Sequence, residues 1–374
     1  MNNVVKALEV IFIAAALEVA LFFARRPILE MMGISLSHVP DVLFEELADI
    51  MPPAEITPIP TPIPTPTPTM APSKANVASY DNTSEATDDY NKDEMPGKEQ
   101  YESLRKEYEF SEKYNPSFFT LSESQQKAYY FINEGISKGK ETINLGDYVA
   151  LKDDETGIVV NAVYRDHPEY FWLENNWNWQ YMGDTKNVIS IRPEYNDLAK
   201  DLNESKIRFE EATEKILSGA RDLEGKGVFY QEKYVHDKIC EICTYDLKAK
   251  YDQSSYGCIV EGKSVCNGYA RAFQYLMNEL GVSTYYVCGD VFPNKETNSE
   301  GGAHAWNIII LDDKSYAVDV TWDDLDNKSV MTYEYFNVTD KKMDESRKKD
   351  DDFSYCPPCD STDMSYEVVM GESI

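Results

Sequence analysis

The chain has 374 residues, enough for about two domains, and sets 36 Lys+Arg against 66 Asp+Glu for a net charge of −30. So acidic a chain repels a phosphate backbone, which excludes nucleic acid binding by charge neutralisation and disfavours an anionic membrane surface on the same ground. Aromatic residues make up 12% of the sequence, which excludes a wholly disordered protein.

Residues 7–24, ALEVIFIAAALEVALFFA, are an apolar run close to the minimum length for a membrane-spanning helix. Glu9 and Glu18 interrupt it, and only Lys6 supplies positive charge ahead of it. Arg25 and Arg26 follow, which by the positive-inside rule would leave the C-terminal side in the cytoplasm. The run reads as a signal or membrane anchor within 1–38, against the plainer alternative of an amphipathic helix. Residues 39–100 read as a linker. Nine of the 18 prolines fall between Pro52 and Pro72, and TPIPTPIPTPTPT at 57–69 fixes φ and removes every second donor. That segment is extended polyproline II, a semi-rigid spacer. A Thr/Pro stalk behind an apolar N-terminus is a layout of cell-surface proteins, so the expected location is extracytoplasmic, membrane-anchored or secreted; a plain interdomain linker is the alternative. Residues 73–100 are polar and expected to be disordered.

The folded part is divided here into an accessory module (101–225), a core (226–345) and a tail (346–374). A helix is predicted over Ser122–Gly139, with Leu121, Tyr129, Ile132 and Ile136 inward. Strands are predicted at Ile158–Val163, Tyr170–Leu173 and Val188–Arg192. A long helix is expected from Tyr195 to Ala220, burying Leu198, Leu202, Ile207, Ala212 and Ile216. Helices follow over Gln231–Cys243 and Cys266–Leu280, the second stopped by Gly281. Strands are then expected at Val282–Cys288, Ala303–Leu311, Ser315–Trp322 and Met331–Val338. Helices followed by consecutive antiparallel strands make the α+β class.

Three segments carry candidate chemistry: GKSVCNGYARAF (262–273), GGAHAWNIII (301–310) and YAVDVTWDD (316–324). Cys266 opens a helix, with Ser264 as the expected N-cap and Ala270, Phe273, Met277 and Leu280 as its apolar stripe. The positive end of the helix dipole favours a thiolate there, and the free first-turn amides can receive an oxyanion. His304 and Asp319 lie on two strands joined by Asp312-Asp313. If that turn has two residues, Leu311 pairs with Lys314, and His304 and Asp319 become diagonal neighbours on one face. The imidazole then has a carboxylate to orient it, and it can take the thiol proton. Taken singly, such a Cys or His is more often a packing or satisfied polar residue. The three together, within 54 positions, outweigh that reading.

YGCIVEGKSVCNGYARAFQYLMNELGV (256–282), HAWNIIILDDKSYAVDVTWDD (304–324) and YEYFNVTD (333–340) resemble the transglutaminase-like (papain-like thiol) superfamily, in its bacterial clostridial-type members. The resemblance covers about 230–340 and implies Cys266 as nucleophile, His304 as base and Asp319 as orienting acid. It implies a papain-like core with the nucleophile's helix packed on an antiparallel sheet, and no cofactor. DHPEYFWL at 166–173 resembles the region that precedes such cores. The sequence departs from the pattern after YFNVTD, where MDESRKK (343–349) stands in place of an expected His.

Around these residues, Tyr256 is a candidate second oxyanion donor. Tyr269 and Trp306 are candidate walls of a substrate groove, with packing as the plainer role. Cys240/Cys243 and Cys356/Cys359 form two CxxC pairs, a pattern that can build a zinc site. They are 112 residues apart and the first falls in a predicted helix, so disulfides or inert thiols are expected and no metal is assigned. Cys258 and Cys288 read as packing residues or a disulfide, His236 as structural and His167 as a turn residue. The expected function is a cysteine peptidase or amidase acting on a peptide or protein, with cell-wall stem peptides as the substrate if the chain is exported. Protein-glutamine transglutaminase is one alternative, a catalytically inactive binding or scaffold module another, and a zinc enzyme a third.

Overall fold

A computed structural model describes residues 84–85, 95–293, 301–325 and 331–371. The apolar run at 7–24 and the proline stretch at 57–69 lie outside them. Among the described residues no helix is long and apolar enough to cross a membrane.

The N-terminal half is built from β1 (Ser84–Glu85), α1 (Lys98–Glu107), α2 (Glu123–Ser137), β2 (Ile143–Asn144), α3 (Gly146–Val149), α4 (Thr156–Asp166), β3 (Leu173–Tyr181) and β4 (Val188–Tyr195). Helices α5 (Leu202–Arg221) and α6 (Val228–Ile242) follow. Next come β5 (Thr244–Tyr245), α7 (Ser255–Ile259), β6 (Lys263–Ser264) and α8 (Cys266–Glu279). The chain continues through β7 (Thr284–Val291), β8 (Gly302–Leu311), β9 (Lys314–Val318), α9 (Val320–Asp323), α10 (Asp340–Met343), β10 (Arg347–Lys349) and α11 (Tyr366–Met370). One sheet has the order β1-β3-β4-β2, another β10-β7-β8-β9, and β5 pairs with β6 alone. The β10-β7-β8-β9 sheet is antiparallel throughout. Helix α8 packs on it through Cys266 and Ala270, against Val287, Cys288, Ala305, Trp306 and Ile308. This mixture of helices and an antiparallel sheet is α+β.

Local chemistry explains where the main elements begin and end. Helix α2 opens on Ser122, whose backbone N–H donates to Gln125 Oε1 at 2.8 Å in a capping box. Helix α8 ends before Gly281, which takes φ 79°. The β8–β9 hairpin pairs Leu311 with Lys314, and both turn residues, Asp312 (φ 48°) and Asp313 (φ 62°), adopt the left-handed conformation that a two-residue turn needs.

Several expectations are corrected. Ile158–Val163 is part of helix α4, not a strand: Val159, Val160 and Val163 are buried at helical spacing, and that burial overrides their β-branched preference. Tyr170–Trp172 is a turn, closed by Leu173 N–H to the Tyr170 carbonyl, and the strand starts only at Leu173. The long helix starts at Leu202, because Asn196 caps a short 3₁₀ turn and Asp201 then caps α5. Its buried face is Phe209, Thr213, Ile216 and Ala220, whereas Ile207 is exposed. Met331–Val338 is not a strand; only Val338 bridges Ala317, and Asn337 turns the chain at φ 55°. Within the segment expected to be disordered, Ser84–Glu85 pairs with Gln180–Tyr181 and α1 starts at Lys98. Arg347–Lys349, in the segment set apart above as the tail, forms an edge strand of the sheet that carries His304.

Candidate active site

Cys266 is the first residue of α8, and its N-cap is Val265 instead of Ser264. Ser264 cannot cap because β6 pairing holds it and its hydroxyl donates to the Asp252 carbonyl. The Val265 N–H donates to the same carbonyl at 3.1 Å, so the loop 252–254 cradles the helix start. Gly268 makes this cradle fit: a Cβ there would lie 2.7 Å from the Ser254 carbonyl oxygen and 2.8 Å from that of Asp252.

A buried polar stripe fixes the rest of the helix. Asn267 Nδ2 donates to Tyr164 Oη at 2.8 Å. Arg271 donates to the carbonyls of Tyr164 (2.6 Å) and His167 (2.8 Å), and Gln274 Nε2 to that of Arg165 (2.9 Å). These carbonyls end helix α4, where a guanidinium also offsets the negative pole of the dipole. From the sheet side, Asn307 Nδ2 donates to the Ala270 carbonyl at 3.0 Å.

His304 is on β8, opposite Gly289 on β7. Asp319 lies one residue past β9 and caps α9, its Oδ1 accepting from the Trp322 N–H at 3.2 Å. Its Oδ2 accepts from His304 Nε2 at 2.7 Å and from the Arg347 guanidinium. The diagonal neighbours expected from the hairpin therefore meet, although the strand has ended by then. Cys266 bonds the same imidazole. Since Nε2 is held by Asp319, the nitrogen left for sulfur is Nδ1.

Burial alone would lower the His304 pKa, but Asp319 and Cys266 outweigh it and raise it to about 9. Burial would likewise raise Asp319, but His304⁺ and Arg347 hold its carboxyl below the usual range. Cys266 and His304 are 1% and 3% exposed, so the pair sits in a low-dielectric setting where a proton shared between them is strongly oriented. Chemically the arrangement offers a thiol, a proton acceptor beside it, a fixed carboxylate behind that, and a helix-start amide.

Trp306 stacks on His304 (6.1 Å, 22°) and is buried, and Tyr269 is buried with its hydroxyl donating to Asp324 at 2.6 Å. The structure does not bring Tyr256 to the sulfur: its ring packs among Phe171, Phe209 and Tyr251, an apolar nest that an aromatic ring on a short helix fills well. All seven cysteines are buried free thiols, so of the two expected states, disulfides or inert thiols, the structure shows the second. Among the described residues no three His, Cys, Asp or Glu side chains are grouped to hold a metal ion. His236 is buried between Asp237 and Asp323, tying α6 to α9. His167 bonds Tyr129 and Glu169.

Two residues beside the thiol and its base escaped the sequence reading. Arg347 belongs to MDESRKK, the segment that departs from the family pattern; it is buried and lies 3.7 Å over the Trp322 ring. Tyr245 packs against the cluster that contains Cys266. The departure marked the segment but not which of its residues turns inward, and Tyr245 had no signal.

Residues 211–320 match the transglutaminase-like superfamily. No curated protein matches the chain. Among solved structures the chain is similar to a proposed cysteine protease from Cytophaga hutchinsonii, at 21% identity over 29% of this chain and 37% of that one (TM-score 0.25). It is similar to a structure described as a TGase, at 14% identity over 48% and 50% (TM-score 0.26). It is also similar to the periplasmic domain of TgpA from Pseudomonas aeruginosa, bound to ethylmercury, at 16% identity over 37% and 57% (TM-score 0.25). The chain thus spans less than two thirds of each.

Proposed function

We propose that this chain, which belongs to the transglutaminase-like superfamily through residues 211–320, is a thiol enzyme that cleaves peptide amide bonds through a thioester. The observation that carries this reading is the placement of Cys266, at a helix start, on the imidazole that Asp319 and Arg347 hold. His304 takes the thiol proton, and Cys266 Sγ attacks the carbonyl carbon. The oxyanion forms beside the helix-start amide. As the tetrahedral adduct collapses, the amine leaves with the proton held on His304. Water, activated by the same imidazole, then releases the acid. Asp319 keeps the ring oriented and favours its charged form.

Burial of the nucleophile favours a second reading. An enclosed thioester gives an amine time to compete with water, and capture by a lysine amine makes the product an isopeptide. The test is intact-mass detection of an acyl adduct on Cys266 with glutamine- and amide-containing peptides, with and without added alkylamine. An adduct missing in Cys266→Ala, released as acid, supports the hydrolase; release as amide when the amine is present supports transfer. A wild-type protein that is alkylated at Cys266 but never acylated is a binding module instead. Cell-wall stem peptides belong in the first panel if the N-terminal run directs export.

A further inference from the structure

Helix α4 has two faces. Its C-terminal carbonyls hold α8. On its other face Ile158, Asn161 and Arg165, at helical spacing, floor a cavity of about 660 Å³, within the range of about 300–1,000 Å³ usual for ligand sites. Trp179 and Tyr355 line its walls, and Asp153 and Asp154 its rim. Asp153 Oδ1 accepts from Trp179 Nε1 at 2.7 Å, which orients the carboxylate. The neighbouring Lys152 gives it no counterion, because its ammonium donates to the Thr185 carbonyl and to Asn187 Oδ1. Arg165 is engaged too, by Asp352 at 3.0 Å and over the Phe353 ring at 4.3 Å. Arg165 is only 9% exposed, and its Nε is buried with no acceptor among the described residues. A buried donor without an acceptor is costly, and such a group is retained where a ligand completes it. Ile158, by contrast, is 54% exposed on this floor.

The two carboxylates call for a cation, the Arg165 edge for a carbonyl oxygen and Ile158 for an aliphatic stem. A lysine within an extended peptide carries all three. We propose that this cavity is a docking site for a lysine-bearing segment of the peptide substrate. The ammonium sits between Asp153 and Asp154, the methylene stem lies along Ile158 and Trp179, and a backbone carbonyl accepts from Arg165. The net charge of −30 draws cationic peptides to the chain as a whole, and the cavity decides where they settle. That the segment belongs to a substrate of Cys266 rests on the thioester reading above; the binding itself does not.

The test is calorimetric titration of the full chain with the capped peptides Ala-Ala-Lys-Ala-Ala and Ala-Ala-Glu-Ala-Ala. Wild type should bind the lysine peptide with a Kd below about 1 mM and the glutamate peptide not measurably. Asp153→Asn with Asp154→Asn should weaken the lysine peptide about tenfold, the loss of two partly exposed ion pairs. Glu210→Gln with Glu211→Gln removes the same charge from the exposed side of α5 and should leave the affinity within about twofold. Arg165→Met separates charge from hydrogen bonding: loss of a cation alone would tighten a cationic ligand, whereas loss of the carbonyl donor weakens it. A cooperative thermal melt shows that each variant is folded. Equal weakening by the two acidic pairs makes the attraction general to the chain and overturns the proposal. Tighter binding in Arg165→Met, or wild-type protein that binds neither peptide, overturns it too. The titration needs no turnover, so a chain that binds the lysine peptide but never forms an acyl adduct on Cys266 loses the thioester reading and keeps the docking site.

Discussion

Replacing Asp319 by Asn is the most direct probe of the charge arrangement at Cys266. Asn keeps the volume and, through Oδ1, the cap on α9, but loses the anion that accepts from His304 Nε2 at 2.7 Å. The rise of the His304 pKa from 6.5 to about 9 corresponds to about 3 kcal/mol in favour of imidazolium, a factor of about 10² in population. The variant loses the Asp319 contribution, the largest favourable one, and the Arg347 cation now faces the imidazole with no anion between them. The assay is the rate of iodoacetamide alkylation at Cys266 from pH 5 to 9, read by peptide mass spectrometry. Alkylation at pH 6 is expected to fall about 100-fold and to approach the wild-type rate above pH 9. Breaking the buried ion pair alone costs about 3–5 kcal/mol of stability, so a thermal melt accompanies the assay. In Asp319→Asn with Arg347→Met both buried charges are gone, and stability returns while acid-side alkylation does not. A single variant with a wild-type pH profile, or a double variant that regains acid-side alkylation, refutes the charge argument.

Two further outcomes follow from the packing. Gly268→Ala puts a methyl within 2.8 Å of two backbone oxygens in the loop that cradles the helix start. It is expected to cost about 2–4 kcal/mol in a chemical melt and to slow Cys266 alkylation; a variant within about 0.5 kcal/mol of wild type would show that the cradle gives way freely. Thermal stability should also fall from pH 6.5 to 9.5. Burial alone would lower the His236 pKa, but Asp237 and Asp323 raise it to about 9, and burial pushes Glu232 up to about 8. Groups raised on folding stabilise below their unfolded pKa and lose that contribution as pH climbs through the folded one. Melting curves of His236→Gln should show a shallower alkaline decline, and a wild-type melting temperature that is flat over this window contradicts the assignment.

The hairpin was legible because two independent signals agreed. Apolar runs on either side of Asp312-Asp313 set the strands, and a two-residue turn there puts His304 and Asp319 on one face. The start of α8 was legible from its apolar stripe, though not its cap, since the competing pairing of Ser264 with Tyr245 is a contact between segments 19 residues apart. Helix α4 was misread because TGIVVNAVY carries the composition of a strand, and only tertiary burial makes it a helix. Arg347 was illegible for a different reason. It stands in a run of basic and acidic residues that reads as a solvated surface, and nothing local shows that one of them turns inward onto Asp319.

The accessory half is a buttress beside the nucleophile and not a lid over it. On α8, Cys266, Ala270, Phe273 and Met277 line one stripe; Asn267, Arg271 and Gln274 lie about 100° further round, at 3.6 residues per turn. All three of the latter end on residues of α4 or its immediate C-terminus. The thiol faces the His304 sheet while the accessory half grips a neighbouring face of the same helix. The base arm is held separately, by Arg347 from β10 and by the buried His236–Asp323 contact behind α9. A segment cut at 226–345 would therefore keep Cys266, His304, Asp319 and the His236–Asp323 contact yet lose both the α4 carbonyls and Arg347. Arg271 would be left without its carbonyls and Asp319 without its cation. The division that matters for the chemistry runs between a nucleophile arm braced from 156–167 and a base arm braced from 347, not along the boundaries that composition suggests.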